Sequence, residues 1–129
     1  MSDKNIDRRP KTILQALEGM TLTFNSEKAV DLEAVIQFEL KNEPDGKYFL
    51  NIRGGNCTFH KGEHEKPTLT IKTPSDVWLK IARKEMNGAI AMMTGRYKTS
   101  GDGSILLKMD KIFSRQPTES ELAEKGWID

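Results

Sequence analysis

Side chains able to do acid–base or metal chemistry are gathered in one short stretch. His60 and His64 stand with Glu63 and Glu65 between two strand-like segments. Imidazole and carboxylate groups can together hold zinc, but this spacing matches no established ligand pattern, and the segment reads as an exposed hairpin loop. These are also the only two histidines in the chain, so general acid–base catalysis has little to draw on. The sequence contains no Gly-x-Ser-x-Gly elbow, no glycine-rich phosphate loop and no paired nucleophile and base. Cys57 is the single cysteine, which excludes an intrachain disulfide. Its place in a strand-like segment reads as a small buried apolar residue rather than a reactive thiol. No catalytic residue, metal ligand or cofactor is assigned, and the expectation is a protein that is not an enzyme.

The elements that would hold any site follow from pattern. With 129 residues, the chain suits one domain with a single core. Lys11 to Gly19 carries Ile13, Leu14 and Leu17 at helical spacing, with Gly19 as a stop. A short turn is expected from Ser26 to Val30. Ala34, Ile36, Phe38 and Leu40 then alternate with Val35, Gln37 and Glu39, which is strand periodicity. Glu43-Pro44-Asp45-Gly46 is turn chemistry, and Tyr48, Leu50 and Ile52 complete a hairpin. Strands over Asn56 to Lys61 and around Leu69 and Ile71 follow. One sheet face is expected to pack under helices. The other, with Gln37, Glu39, Asn51, Thr70 and Lys72, reads as wet.

Thr73 and Pro74 predict the start of a helix with Val77, Trp78, Ile81 and Ala82 as its stripe. Asn87-Gly88 breaks it, and Ala89 to Thr94 forms a shorter helix ended by Gly95. A fifth strand is expected over Arg96 to Ser100. Asp102 caps a closing helix, Ser104 to Phe113. After Arg115, Thr118 and Glu121 form a capping-box pattern, and Gly126 lets Trp127 fold back on Leu122. The fold class is therefore α+β: a five-stranded, mainly antiparallel sheet with helices covering one face, plus a short C-terminal helical appendix.

The formal net charge of +1 and the lack of a basic stripe argue against nucleic acid as a partner. No secretory signal or membrane-spanning stretch is evident, and Gly126-Trp127-Ile128-Asp129 matches no organelle address, so a cytoplasmic protein is expected.

Several segments together resemble the sterol carrier protein 2 (SCP2) family. Phe24-Asn25-Ser26-Glu27-Lys28-Ala29 is similar to its turn before the first strand. Tyr48 to Gly55 is similar to its second strand and turn, and Thr68 to Ile71 followed by Ser75 to Ala82 to its fourth strand and helix. Met93-Thr94-Gly95-Arg96-Tyr97-Lys98-Thr99-Ser100-Gly101-Asp102, closing at Ile112-Phe113, resembles its Gly-Lys-apolar-x-apolar-x-Gly-Asp signature. Tyr97 and Thr99 depart from that pattern, standing where the family usually has aliphatic residues.

The resemblance implies an SCP2-like lipid-binding domain over 11–115, with an N-terminal arm at 1–10 and the appendix at 116–129. It implies carriage of a fatty acid, acyl-CoA, sterol or other lipid in a hydrophobic tunnel between sheet and helices. Expected strand contacts are Ile36, Phe38, Leu50, Ile52, Phe59, Leu69, Ile71, Tyr97 and Thr99. Expected helical contacts are Trp78, Ile81, Ile90, Met93, Leu106, Met109 and Phe113. Met86, Met92, Met93 and Met109 would suit an adaptable cavity. The partners implied are a lipid or acyl-chain ligand, transient contact with a membrane, and a homodimer or an enzyme partner. The alternative function is an interaction or dimerisation module serving a separate lipid-metabolising enzyme.

Overall fold

A computed structural model describes residues 8–127. Residues 1–7 of the expected arm, and Ile128 and Asp129, lie outside the described residues. The chain forms α1 (Ile13–Glu18), α2 (Met20–Thr23), β1 (Ala34–Leu40), β2 (Lys47–Arg53), β3 (Asn56–Lys61) and β4 (Leu69–Thr73). It continues with α3 (Ser75–Ala82), α4 (Gly88–Met93), β5 (Lys98–Gly101), α5 (Gly103–Ile112) and α6 (Glu119–Glu124). Among the described residues no helix is long and apolar enough to cross a membrane.

The five strands lie in the order β3-β2-β1-β4-β5. All neighbours are antiparallel except β1 and β4, which run parallel, so the sheet is mixed rather than a simple meander. Because β3 and β4 run in the same direction with two strands between them, the chain must return across the sheet. It does so over the outer face, and that path explains a departure from the expected wet surface. Gln37 is only 1% exposed. Its Nε2 donates to Tyr48 O at 3.1 Å and to Gly62 O at 3.0 Å, while its Oε1 accepts from His64 N at 2.8 Å. Thr70 is buried as well, whereas Lys72 is exposed. A buried amide whose groups all find partners is tolerated where an unpaired one would be costly.

The inner face follows period-2 alternation. Ala34, Ile36, Phe38 and Leu40 point into the core with Leu50, Ile52, Leu69 and Ile71. Leu17, Val77, Trp78, Ile105 and Ile112 cover them from the helices. Burying each of these large side chains contributes roughly 1.5–3 kcal/mol relative to exposure.

Several boundaries differ from the sequence pattern. Gly19 does not stop α1 with a left-handed turn. Its φ is −63° and the chain runs on into α2. Gly19 is needed for space, since a Cβ there would overlap the Trp127 ring. Thr73 stays in β4, fully buried, and its hydroxyl donates to Pro74 O. The free amide of Ser75 at the start of α3 is met instead by the Asn42 side chain at 2.9 Å, 33 residues away. β5 starts at Lys98, so Tyr97 precedes the strand.

The caps on α5 and α6 are as the sequence implies, while Asn87, read only as a break, caps α4, which starts at Gly88. Asn87 Oδ1 accepts from Ile90 N, and Asp102 Oδ1 accepts from Ser104 N and Oγ. The Ser104 hydroxyl holds the Asp102 carboxyl below the usual carboxylate range. Thr118 and Glu121 form a full capping box. Gly126 has φ of 79°, which turns the Gly126 and Trp127 amides back onto Ala123 O and Leu122 O. Leu122 and Trp127 are both buried, so the tail docks on the domain.

Candidate functional site

The inner sheet face forms two apolar rows whose register is set by strand pairing. Phe59, Leu50, Ile36 and Leu69 stand across β3-β2-β1-β4 in one row. Tyr48, Phe38, Ile71 and Thr99 form the next across β2-β1-β4-β5. Above the second row, Trp78 of α3 meets Phe38 edge-on at 5.2 Å between ring centroids. Trp78 also meets Tyr97 at 5.6 Å with the rings nearly perpendicular. Edge-to-face geometry of this kind adds about 0.5–1.5 kcal/mol per pair beyond burial. Tyr97 Oη donates to Gly88 O at 3.0 Å, tying the start of α4 to the run into β5. Burial and the nearby Asp110 carboxylate push the Tyr97 phenol above its ordinary range.

Of the expected contact residues, Ile36, Phe38, Leu50, Ile52, Leu69, Ile71, Trp78 and Tyr97 are buried together in one apolar layer. Phe59, Ile81, Leu106, Met109 and Phe113 are half-buried and pack against its rim. Phe113 meets Phe24 at 6.1 Å. Thr99 is half-buried on β5. Ile90 and Met93 were expected to face inward, and they do not: they are 60% and 79% exposed. On α4 the buried residue is Ala91, with Met92 half-buried against the core beside it. The stripe of α5 is likewise shifted, since Ile105 and Ile112 are buried where Leu106 and Met109 are only half so. Spacing alone allowed either phase, because Ile105, Leu106, Met109, Ile112 and Phe113 satisfy two overlapping helical patterns. Phe24, Ala29, Val77 and Ala91 also belong to the buried layer and were not singled out as contacts.

Several of these side chains, Ile36, Phe38, Leu50 and Ile71 among them, are fully buried. A small pocket of about 100 Å³ lies between α1 and the β1–β2 turn, lined mainly by Ile13, Leu14, Leu17, Leu40, Pro44 and Tyr48. A wider cleft of about 800 Å³ opens at the same end of the sheet, but charged residues dominate its walls, among them Glu39, Lys41, Lys47, Lys61, Glu63 and Lys72. None of the expected contact residues lines either space.

The histidine segment has a structural use. His60 stacks on Phe49 at 4.8 Å, and His64 approaches the same ring edge-on at 5.2 Å. His64 Nδ1 accepts from Lys66 N, which shapes the crossover. Among the described residues no group of three His, Cys, Asp or Glu is placed to hold a metal ion. Cys57 is half-buried against the apolar layer, and desolvation raises its thiol from 9.0 to about 12. A thiol so placed has on the order of 10³ less thiolate near neutrality than an ordinary one. Thiol-specific reagents at pH 8 are therefore expected to label Cys57 slowly in the folded protein and quickly in denaturant. Equal labelling rates in the two states would overturn this assignment.

Comparison with known proteins identifies what shares this arrangement. A family model described as the SCP-2 sterol transfer family matches residues 14–114. Hydroxysteroid dehydrogenase-like protein 2 from Xenopus tropicalis is 27% identical over 114 residues, covering 87% of this chain and 27% of that protein. The chain thus spans about a quarter of the length of this curated relative. A palmitated SCP2L2 from Aedes aegypti, solved by NMR, superposes with a TM-score of 0.62 at 16% identity, covering 86% of this chain and 99% of that one. The stereoselective inverting sec-alkylsulfatase Pisa1 from Pseudomonas sp. superposes with a TM-score of 0.67 at 19% identity, covering 77% of this chain and 16% of that one. The solved structures share the fold of the described layer.

Proposed function

Because the chain belongs to the SCP-2 sterol transfer family, we propose that it binds and carries a hydrophobic ligand, without catalysis, between the inner sheet face and the helices above it. The ligand is a fatty acid, an acyl-CoA, a sterol or another lipid. Residues 11–115 act as the binding domain, 116–129 as a docked appendix and 1–10 as an arm, and the protein works in the cytoplasm.

One observation carries this reading: the layer between sheet and helices is predominantly apolar, with Thr73 as a buried polar member, and holds no buried charge among the described residues. Such a layer favours an alkyl or ring system and disfavours any charged head, which would have to stay at the rim. The palmitated state of the Aedes neighbour supports an acyl chain as one guest. Burying a methylene is worth roughly 0.8 kcal/mol, so a chain of about sixteen carbons gains on the order of 12 kcal/mol gross. Association and ordering cost about half of that, which leaves an affinity in the tens of micromolar.

Room for such a guest must be made, because ligand sites commonly need roughly 300–1,000 Å³ and the small pocket beside α1 offers about 100 Å³. α4 is the cover best suited to move. It is short, turns Ala91 and part of Met92 inward, and is tied to the run into β5 by the Tyr97–Gly88 side-chain bond.

Native mass spectrometry of freshly purified protein tests the reading, with retained lipid as the expected result. Palmitate at about 100 times its dissociation constant should stabilise the fold by about 2.7 kcal/mol, a rise of several degrees in Tm. An unliganded mass together with an unmoved Tm for palmitate, acyl-CoA and sterol would refute it.

A second reading has its own support. The chain matches only 27% of the hydroxysteroid dehydrogenase-like relative and 16% of the sulfatase, so this fold also occurs as a segment of larger proteins. The domain would then serve a separate lipid-metabolising enzyme as an interaction or dimerisation module. Association with such an enzyme, or a concentration-dependent mass, without lipid uptake would favour it.

A further inference from the structure

We infer that Tyr97 selects among lipid guests, favouring one that carries an uncharged oxygen acceptor along its chain or ring system over a plain hydrocarbon chain. This deepens the carrier reading and rests on it. Among the polar side chains of the inner layer, Thr73 donates its hydroxyl to Pro74 O, one residue away. Thr99 is only half-buried. Tyr97 differs from both. It is 3% exposed, and its Oη donates at 3.0 Å to Gly88 O, on a separate element. Its ring meets Trp78 of α3 at 5.6 Å, its hydroxyl reaches the start of α4, and the Asp110 carboxylate of α5 acts on its phenol. One side chain thus links three of the covering helices.

When α4 lifts to admit a guest, Gly88 O turns to water and the Tyr97 hydroxyl is left facing the apolar layer. A plain alkyl chain leaves that donor unpaired, which is costly in such surroundings. A keto, ester or hydroxyl oxygen at the same depth accepts the hydrogen instead, so opening exchanges one bond for another. Burial and Asp110 both keep the phenol protonated, and it remains a donor near neutral pH. A carboxylate suits this place poorly, because Asp110 already sets a negative charge beside the hydroxyl and a second would be repelled. The charged head of a fatty acid therefore stays at the rim, and the selected oxygen lies farther along the guest. A site built to hydrogen-bond a ligand oxygen rejects the analogue lacking it more strongly than an apolar pocket rejects a missing methylene.

Titration calorimetry with stearate and a set of oxostearates, each bearing one keto group at a different point along the chain, tests this. In the parent protein at least one oxostearate should bind about tenfold more tightly than stearate. Tyr97→Phe should reverse that preference, since the keto oxygen then has no partner, while stearate affinity does not fall. Tyr48→Phe removes the other phenol, which stands opposite Phe38 on the same sheet face, and should leave the ratio unchanged. A second readout needs no guest. Amide exchange at Ala91 and Thr94 of α4 should quicken about tenfold in Tyr97→Phe, with β1 unaffected. Circular dichroism confirms that each variant is folded. Equal binding of stearate and every oxostearate by the parent, an unchanged ratio in Tyr97→Phe, a ratio lost in Tyr48→Phe, or unchanged exchange in α4 would overturn the inference. Stearate binding without a keto preference refutes selection by Tyr97 and leaves carriage standing, whereas no binding of either guest refutes both.

Discussion

Replacing Phe38 with alanine is expected to lower folding stability by about 4 kcal/mol, the middle of the range for losing a buried aromatic ring. Phe38 is fully buried at the centre of β1, with Tyr48 opposite on β2, Ile71 opposite on β4 and Trp78 edge-on above. Strands on both sides hold its surroundings in place, so little collapse can offset the cavity. Equilibrium denaturation by urea measures the loss. A value below about 1 kcal/mol would mean that the layer repacks freely and is not the rigid core described. The same variant bears on carriage. If the interior accepts an acyl chain, the vacated ring volume should raise palmitate affinity even as the apo protein weakens. Unchanged affinity would place the guest away from Phe38.

Gln37→Leu should cost about 3 kcal/mol, although leucine has a similar volume and the position lies on the sheet face away from the helices. The substitution removes the acceptor of His64 N and the donor to Gly62 O and Tyr48 O. Unpartnered backbone groups under cover cost about 1–3 kcal/mol each. Loosening should be local first: amide exchange is expected to speed up across residues 62–67 before the inner face is affected. Gln37→Glu separates acceptor from donor: it keeps the oxygen that accepts from His64 N but sets a second carboxyl oxygen against Tyr48 O and Gly62 O. Its cost should be at least that of Gln37→Leu near neutral pH and should shrink as the carboxyl is protonated at lower pH. Faster exchange spread evenly over the whole sheet in Gln37→Leu would refute a role in pinning the crossover.

Alternation on β1, β2 and β4 was enough to place Ile36, Phe38, Leu50, Ile52, Leu69 and Ile71 on one buried face, because a strand has a strict period of two and each residue's side follows from its neighbour's. Capping chemistry was equally local. Asp102, the Thr118–Glu121 box and Gly126 act within a few residues, so sequence marked those helix ends correctly. Helical phase was not determined in this way. Two overlapping stripes on α5 were both apolar, and packing against β4 chose Ile105 and Ile112. On α4 the small Ala91 turned inward and the larger Ile90 and Met93 were left in solvent, the reverse of what hydrophobicity alone implies.

Partners distant along the chain were invisible for the same reason. The amide at the start of α3 is met by Asn42, and Gly19 is small because Trp127 packs against it. Gln37 read as a solvent-facing strand residue until the parallel pairing of β1 and β4 required a crossover above it. Composition and periodicity thus determined which residues are apolar, which way strands face and where helices are capped. Whether the apolar layer is open or filled, and which apolar residues stay outside it, was decided only when distant segments competed for the same volume.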